Sequence, residues 1–133
     1  MYKEEDYKKF ANEMEERFPK MFSGKYGGFA VGAGWWPLLK HLCHTIQSHI
    51  DQNKECPQVV VEQIKEKFGT LRFYYQGGDE FVHGAVWLAE SMSGMLCEEC
   101  GAVGKRTSGG WVRTLCDFHI VEKTALETNL EES

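Results

Sequence analysis

Three cysteines and one histidine in the carboxyl-terminal part of this chain have the spacing of metal ligands. They form two pairs, each with two residues between its members, and fifteen residues separate the pairs: Cys97, Cys100, Cys116 and His119. Thiolate and imidazole groups at this spacing are typical of tetrahedral zinc sites. Because three of the five cysteines fall into these pairs, chance clustering explains them poorly. The sequence therefore predicts one bound Zn²⁺.

The residues around the two pairs indicate how the site is built. Gly101 follows the first pair, where a tight turn needs a permissive backbone. A hairpin-like segment, residues 102–115, leads to the second pair, and a short helix is predicted after His119. This order is that of a treble-clef zinc finger, with a zinc ribbon as the alternative. Because side chains fill all four positions, the zinc is expected to be structural; a catalytic zinc keeps one position open for water.

The sequence around this site predicts helices and a β-hairpin, and these indicate an α+β fold. We expect a small single domain in which helices pack on the hairpin. Apolar residues at helical spacing predict helices over residues 4–18, from Pro37 through Ile50, and from the N-cap Asp79 to Ser93. Within one domain, residues 1–133, we expect a helical and hairpin core over residues 1–95 and a zinc-finger subdomain over residues 96–126.

The clearest strand signal is a hairpin formed by residues 59–68 and 71–76. A two-residue turn at residues 69–70 would pair Phe68 with Leu71. Alternation then gives a core face of Ile64, Phe68, Leu71, Phe73 and Tyr75. The outer face includes Lys65, Lys67, Arg72 and Tyr74. Such a basic surface with an aromatic suits a phosphate or an acidic protein surface, and charge for solubility alone is the alternative.

The helix that follows Asp79 carries another candidate for contact with a partner. Its buried stripe is expected to consist of Phe81, Ala85, Leu88, Ala89 and Met92. Trp87 falls at the margin of this stripe, so we expect it to be partly exposed. Because Trp and Tyr offer a large contact area with little side-chain entropy to lose, Trp87 and Tyr74 are predicted to be anchors for a partner.

Two further patterns could bind a ligand but complete no motif. Glycine recurs at positions 24, 27, 28, 32 and 34, yet the frame of a phosphate-binding loop is absent and no strand precedes it. His41 and His44 are three residues apart, with no carboxylate or cysteine on that face to complete a site. We interpret the glycines as a flexible or tightly folded connector and the histidines as solvated.

Composition narrows the class of protein further. The net charge of −5 argues against coating nucleic acid by bulk attraction, although a local basic face is compatible with it. No apolar run approaches the ~20 residues of a membrane span, and the charged amino terminus argues against a secretory signal. Cys43 and Cys56 are left over beside the metal ligands, which fits a reducing cytoplasm. We expect a cytoplasmic protein with no membrane partner.

Four segments together resemble a family of small zinc-binding proteins encoded by phages, prophages and bacteria. The segments read GWWPLL, VEQIKEKFGTLRFYY, LCEECG and GWVRTLCDFH, and they lie within residues 34–119. The resemblance implies a viral or mobile-element context inside a bacterial cell. It carries over the four metal ligands and no catalytic residue.

The function predicted from these observations is that of a non-enzymatic zinc protein that binds and inhibits or modulates a bacterial host protein. A defence system is one such target, as for anti-CRISPR proteins. The first alternative is a zinc finger that binds nucleic acid through Lys65, Lys67, Arg72, Lys105, Arg106 and Arg113. The second alternative, a small-molecule or nucleotide-binding protein or an enzyme, is least favoured because the sequence lacks a catalytic set.

Overall fold

Four α-helices and five strands make up the computed structural model, which describes residues 2–132, with side chains to residue 126. The elements in chain order are α1 (Glu4–Arg17), β1 (Phe29–Ala30), α2 (Trp36–Gln52), β2 (Val60–Lys67), β3 (Thr70–Gln76), α3 (Glu80–Ser93), β4 (Lys105–Arg106), β5 (Thr114–Leu115) and α4 (Asp117–Glu132), with a 3₁₀ turn at Ala33–Trp35 before α2. The chain is a small single α+β domain, as predicted.

The first two helices pack through apolar stripes that the sequence predicts. Helix α2 has Pro37 in its first turn, where a missing amide proton costs no helical hydrogen bond. Helix α1 buries Phe10 and Met14, and the Phe10 ring stacks on Trp36 with 4.6 Å between centroids. Cys43 is fully buried on α2 and is a small core residue. No helix among the described residues is long and apolar enough to cross a lipid bilayer.

Strand β1 adds a third strand to the predicted hairpin. The sheet has the order β1-β2-β3, with β1 parallel to β2 and β3 antiparallel to it. Phe29 of β1 lies opposite Ile64 of β2, and both side chains are buried. The sequence does not predict β1, because two residues next to a run of glycines give no alternating pattern. The glycine-rich connector is therefore partly a sheet edge.

The predicted hairpin turn is wrong by one residue. The turn consists of Phe68 and Gly69, which have φ angles of 54° and 82°, and Lys67 pairs with Thr70. Two successive positive φ angles match the right-handed twist of paired strands, and glycine fits the second position. Phe68 consequently leaves the core and is 61% exposed, contrary to prediction. Because the pairing moves by one residue on each strand, the other side chains keep their predicted faces.

Helix α3 is rotated relative to the prediction and covers the open edge of β3. Its buried residues are Val82, Val86, Ala89 and Ser93, whereas Phe81, Leu88 and Met92, predicted to be buried, are exposed. The hydroxyl of Ser93 accepts from the Leu71 amide at 2.8 Å, and the Glu90 carboxylate accepts from the Phe73 amide at 2.9 Å. These bonds satisfy edge amides that would otherwise lack partners, and they draw polar residues of α3 inward.

Candidate metal centre

The structure brings the four predicted ligands together. The donor atoms of Cys97, Cys100, Cys116 and His119 all lie within 4.8 Å of one another. Nδ1 of His119 is 3.5 Å from the Cys97 sulfur and 3.2 Å from the Cys116 sulfur, and the sulfurs of Cys100 and Cys116 are 3.8 Å apart. The four groups surround one point and could hold a metal ion there.

Each half of the centre is held by local backbone structure. In the first half, the Gly101 amide donates to the carbonyl of Cys97 at 2.7 Å, and Gly101 has a φ of 82° that favours glycine. In the second half, Cys116 directly precedes α4, so the first free amides of that helix face its sulfur. The amides of His119 and Phe118 donate to this sulfur and lower the pKa of the Cys116 thiol.

The order of elements around the centre is that of a treble clef. The Cys97–Cys100 turn comes first, strands β4 and β5 form an antiparallel hairpin, and His119 lies in the first turn of α4. A zinc ribbon would place the second pair in another turn, whereas here it opens a helix. The other ring nitrogen of His119, Nε2, is 4.0 Å from the Glu122 carboxylate, one turn along α4. At that distance the carboxylate forms no hydrogen bond to the ring and contributes only a weak charge attraction.

Two glycines of the glycine-rich segment receive the Cys97–Cys100 turn. The Gly34 amide donates to the Glu98 carbonyl at 2.7 Å, and the Gly32 amide donates to the Glu98 carboxylate at 2.9 Å. A Cβ atom at Gly34 would lie 2.1 Å from the carbonyl oxygen of Cys97. These glycines therefore allow close approach of the metal-binding turn, and both amides already have acceptors. The segment is a tightly folded connector, the second of the two predicted forms.

A buried charge cluster joins the same turn to Arg113, the residue that directly precedes β5. Glu98 is 6% exposed, and its carboxylate lies 3.2 Å from Nη2 of Arg113, which is also 2.8 Å from Glu99. Burial raises the pKa of Glu98, while the Gly32 amide and the Arg113 guanidinium act in the opposite direction. Arg113, a candidate for nucleic-acid contact in the sequence, is instead engaged by these two carboxylates.

The β4–β5 hairpin holds the tip of the β2–β3 hairpin. The Thr114 hydroxyl donates to the Gly69 carbonyl, and the Arg106 guanidinium donates to the Phe68 carbonyl, both at 2.6 Å. Thr114 is fully buried, so this contact belongs to the interior of the protein. The contacts at Gly34 and at Gly69 therefore join the predicted core, residues 1–95, to the predicted zinc-finger subdomain, residues 96–126. The metal-binding part thus lies against the core at two separate places.

The predicted partner-binding residues lie on the surface. Lys65 and Arg72 face each other across β2 and β3, on the face opposite the core, together with Lys67 and Tyr74. None of the three cations forms a salt bridge with any residue from 2 to 126. The Nε atom of Arg72 is shielded from solvent and has no hydrogen-bond acceptor within the part of the chain that the structure describes. We call these four residues the basic sheet face.

Trp87 is 75% exposed on α3, on the flank of the helix that is nearer to β3. The residue four positions before Trp87 and the residue three positions after it lie on the same side of α3 as Trp87. These are His83, whose ring is hydrogen-bonded to the Tyr75 hydroxyl, and Glu90, whose carboxylate accepts from the Phe73 amide. Trp87 is thus next to the same strand that carries Tyr74, which is 43% exposed. The two predicted anchors flank one strand.

The structure also assembles a cluster that the sequence does not predict. His49 near the end of α2, Cys56 in the connection to β2 and the α3 N-cap Asp79 place their donor atoms within 4.8 Å of one another. These residues are far from any ligand motif in sequence, and only the unassigned Cys56 hinted at them. His41 and His44, by contrast, are exposed on α2 and belong to neither ligand group found among the described residues.

Comparison with known proteins gives no family for the chain. No protein-family model matches the sequence, and neither the curated proteins nor the solved structures include a significant match. The resemblance to small phage-encoded zinc proteins therefore stays a prediction. The conclusions that follow depend on the residues and geometry described above.

Proposed function

We propose that the treble-clef centre binds one Zn²⁺ and that this ion is structural. Donors around tetrahedral zinc are about 3.8 Å apart when both are sulfur and about 3.5 Å apart for sulfur and nitrogen. The Cys100–Cys116 distance of 3.8 Å and the His119 distances of 3.5 and 3.2 Å are close to these values. Three thiolates favour zinc over hard cations such as Mg²⁺. Four side-chain donors leave no position for a reacting water, which supports a structural role.

The proposed function of the whole protein is non-enzymatic binding of an acidic surface on a partner protein. The observation that carries it is the unpaired charge of the basic sheet face. Like charges directly opposite on neighbouring strands destabilise a sheet, yet Lys65 and Arg72 occupy such positions with no carboxylate between them. A shielded Arg72 nitrogen without an acceptor adds to this cost. An acidic partner would supply carboxylates to pair with these cations.

A protein partner explains the charge and the exposed aromatic residues of this surface better than nucleic acid does. The chain carries a net charge of −5, and Arg113, one of the six cations proposed to contact phosphates, is taken up by Glu98 and Glu99. Tyr74 belongs to the basic sheet face and Trp87 is exposed on the neighbouring α3, and exposed aromatics are the usual anchors of protein interfaces. We propose a bacterial host protein as the partner, with inhibition or modulation as the result, a defence component being one such target.

Capture from a bacterial host tests this function. Tagged protein should retain one host protein in stoichiometric amount and independently of nuclease treatment. The double variant Tyr74→Ala and Trp87→Ala, and separately Lys65→Glu, should lose it while zinc content and melting stay nearly unchanged. Trp111→Ala is the matched control, because Trp111 is 63% exposed but lies outside the basic sheet face.

Three results would contradict the proposal. Retention of the partner by both variants would show that another surface binds it. A nuclease-sensitive complex would favour the zinc-finger alternative, in which the basic sheet face contacts nucleic acid. If the free energy of unfolding of the Tyr74→Ala and Trp87→Ala protein falls by the ~3–5 kcal/mol typical of a buried aromatic, these rings stabilise the fold and are not free to bind a partner.

A further inference from the structure

The cluster of His49, Cys56 and Asp79 gathers three different metal-binding groups from three parts of the chain. Nε2 of His49 is 2.7 Å from Oδ2 of Asp79, and the three donor atoms lie within 4.8 Å of one another. Cys56 is 7% exposed, and its sulfur has only a long contact, 3.6 Å, to the Pro57 carbonyl besides its contact with Asp79. The thiol therefore points at the carboxylate and imidazole without a strong hydrogen-bond acceptor of its own on the backbone.

The side chains of the cluster are held in place by neighbours. The His49 ring stacks on Phe81, with 4.2 Å between centroids and 20° between the planes. The other Asp79 oxygen, Oδ1, accepts from the Val82 amide at 3.1 Å, which fixes the carboxylate at the start of α3. This fixed geometry lowers the entropy cost of ligand binding. It also explains why Phe81, predicted to face the core, lies over a polar cluster.

Solvent reaches the cluster from one side. The side chains of His49 and Asp79 are 18% and 38% exposed, whereas Cys56 forms the inner wall. An ion that contacted all three groups would thus keep a position open to water. Three protein ligands with one open position is the arrangement of exchangeable or reactive zinc sites, in contrast to the closed treble-clef centre.

We propose that His49, Cys56 and Asp79 form a second site for a divalent transition-metal ion of the zinc type. Imidazole, thiolate and carboxylate together suit zinc and cobalt better than magnesium or calcium. The ion would occupy the side of the cluster that faces solvent. This proposal does not depend on the partner proposed above or on occupancy of the treble-clef centre.

Metal binding requires two small changes in the cluster. The His49 and Asp79 donors are hydrogen-bonded at 2.7 Å, whereas nitrogen and oxygen donors on one tetrahedral zinc are about 3.3 Å apart. The ion would displace the proton between them, which Nδ1 of His49 takes up, and the proton of the Cys56 thiol, which passes to solvent; it would also widen the gap by this small amount. Asn53 would give up its 3.2 Å contact with Nδ1 of His49 and keep its 2.8 Å bond to the His49 carbonyl. These changes make the second site weaker than the preformed four-ligand centre.

Cobalt titration of the full chain tests the second site. Protein whose treble-clef centre is loaded with zinc is freed of excess metal and titrated with Co²⁺. We expect one further equivalent, with a thiolate-to-cobalt absorption band and visible bands of four-coordinate Co²⁺, while the first zinc is retained. Cys56→Ser should abolish the thiolate band, and His49→Gln should abolish tight binding. His44→Gln is the matched control, because His44 is an exposed histidine of the same helix outside the cluster.

A second measurement covers the case in which the variants fold poorly. In the wild-type protein, paramagnetic Co²⁺ should broaden the amide NMR signals of Asn53, Cys56 and Asp79 first. The proposal is overturned if wild-type protein takes up no second equivalent, or if Cys56→Ser gives the same absorption band. It is also overturned if the broadening centres on other residues.

Discussion

At the scale of single residues, Gly34 decides whether the metal-binding turn can approach the core. A methyl group there would lie 2.1 Å from the Cys97 carbonyl oxygen and 2.6 Å from the Gly101 nitrogen, and both neighbours are backbone atoms that cannot rotate away. We expect Gly34→Ala to destabilise the protein by about 1–3 kcal/mol or more, the usual cost of overpacking. Thermal unfolding together with metal content measures the effect.

Gly84 provides the control for this substitution. It lies within α3, and a Cβ atom there would meet nothing within 4 Å. Gly84→Ala should raise the free energy of unfolding by about 0.5–1 kcal/mol, because alanine loses less backbone entropy in a helix. Equal effects of the two substitutions would contradict the close approach inferred at Gly34.

The ligand Cys100 carries a second prediction at this scale. It is an exposed cysteine, so replacing it by serine removes little packing. Cys100→Ser should nevertheless release the tightly held zinc, because a hydroxyl is a poor replacement for a thiolate. Mass spectrometry under native conditions should find one tight zinc in the wild type and none in the variant. Wild-type protein prepared without chelator that contains no zinc would end the structural-zinc proposal.

At the scale of elements, α3 stabilises the sheet through hydrogen bonds to its edge strand. Ser93 is fully buried, and its hydroxyl accepts from the Leu71 amide while donating to the Glu90 carbonyl. Ser93→Ala leaves the Leu71 amide without an acceptor, so we expect a loss of about 1–3 kcal/mol. The exposed Ser91 on the same helix is the control, and Ser91→Ala should stay within about 0.5 kcal/mol. Denaturant unfolding of both variants decides the point.

The same helix shows where sequence reasoning succeeds and where it stops. Ligand spacing predicted that Cys97, Cys100, Cys116 and His119 come together, because each pair is local in the chain and needs only a turn to bring its members close. The predicted buried stripe of α3 was wrong, because Ser93 and Glu90 face inward to reach the amides of β3. The sequence of the helix alone holds no information about those amides. The cluster around Cys56 was missed for a similar reason: its three donors come from separate elements that meet only in the folded chain.

The hairpin shows an intermediate case. Alternation predicted which side chains share the basic sheet face, since faces depend only on the period of the strand. The turn position was wrong, because Phe68 adopts a positive φ that sequence statistics disfavour. The contacts that hold this turn come from Arg106 and Thr114, which are distant in sequence.

At the scale of the whole molecule, the metal-binding part and the core should unfold together. Trp35 is fully buried, and its indole donates to the Leu96 carbonyl at 2.8 Å, beside the Cys97–Cys100 turn. Zinc binding in small domains contributes on the order of 10 kcal/mol, comparable to the 5–15 kcal/mol of total stability in a typical domain. Chelation of zinc should therefore abolish the near-ultraviolet circular dichroism of the core aromatics, and not only the structure after residue 96.

Restoring zinc is the control for the chelation experiment. The near-ultraviolet signal should return with zinc, and it should return in one phase with the far-ultraviolet signal if the protein is one cooperative unit. A core that keeps its signal after complete zinc removal would show that residues before 96 fold independently.

The close fit of Gly32 and Gly34 against Glu98 also bears on how the chain folds as it is synthesised. The Gly32 amide and the Glu98 carboxylate are 66 residues apart in sequence. A ribosome that adds 5–20 residues per second needs roughly 3–13 s to cover that interval. During this time, the glycine segment has been made but its acceptors have not. The glycine segment therefore reaches its native packing only after Glu98 has been synthesised, and the proposed zinc ion can be held by all four donors only after His119 has been added.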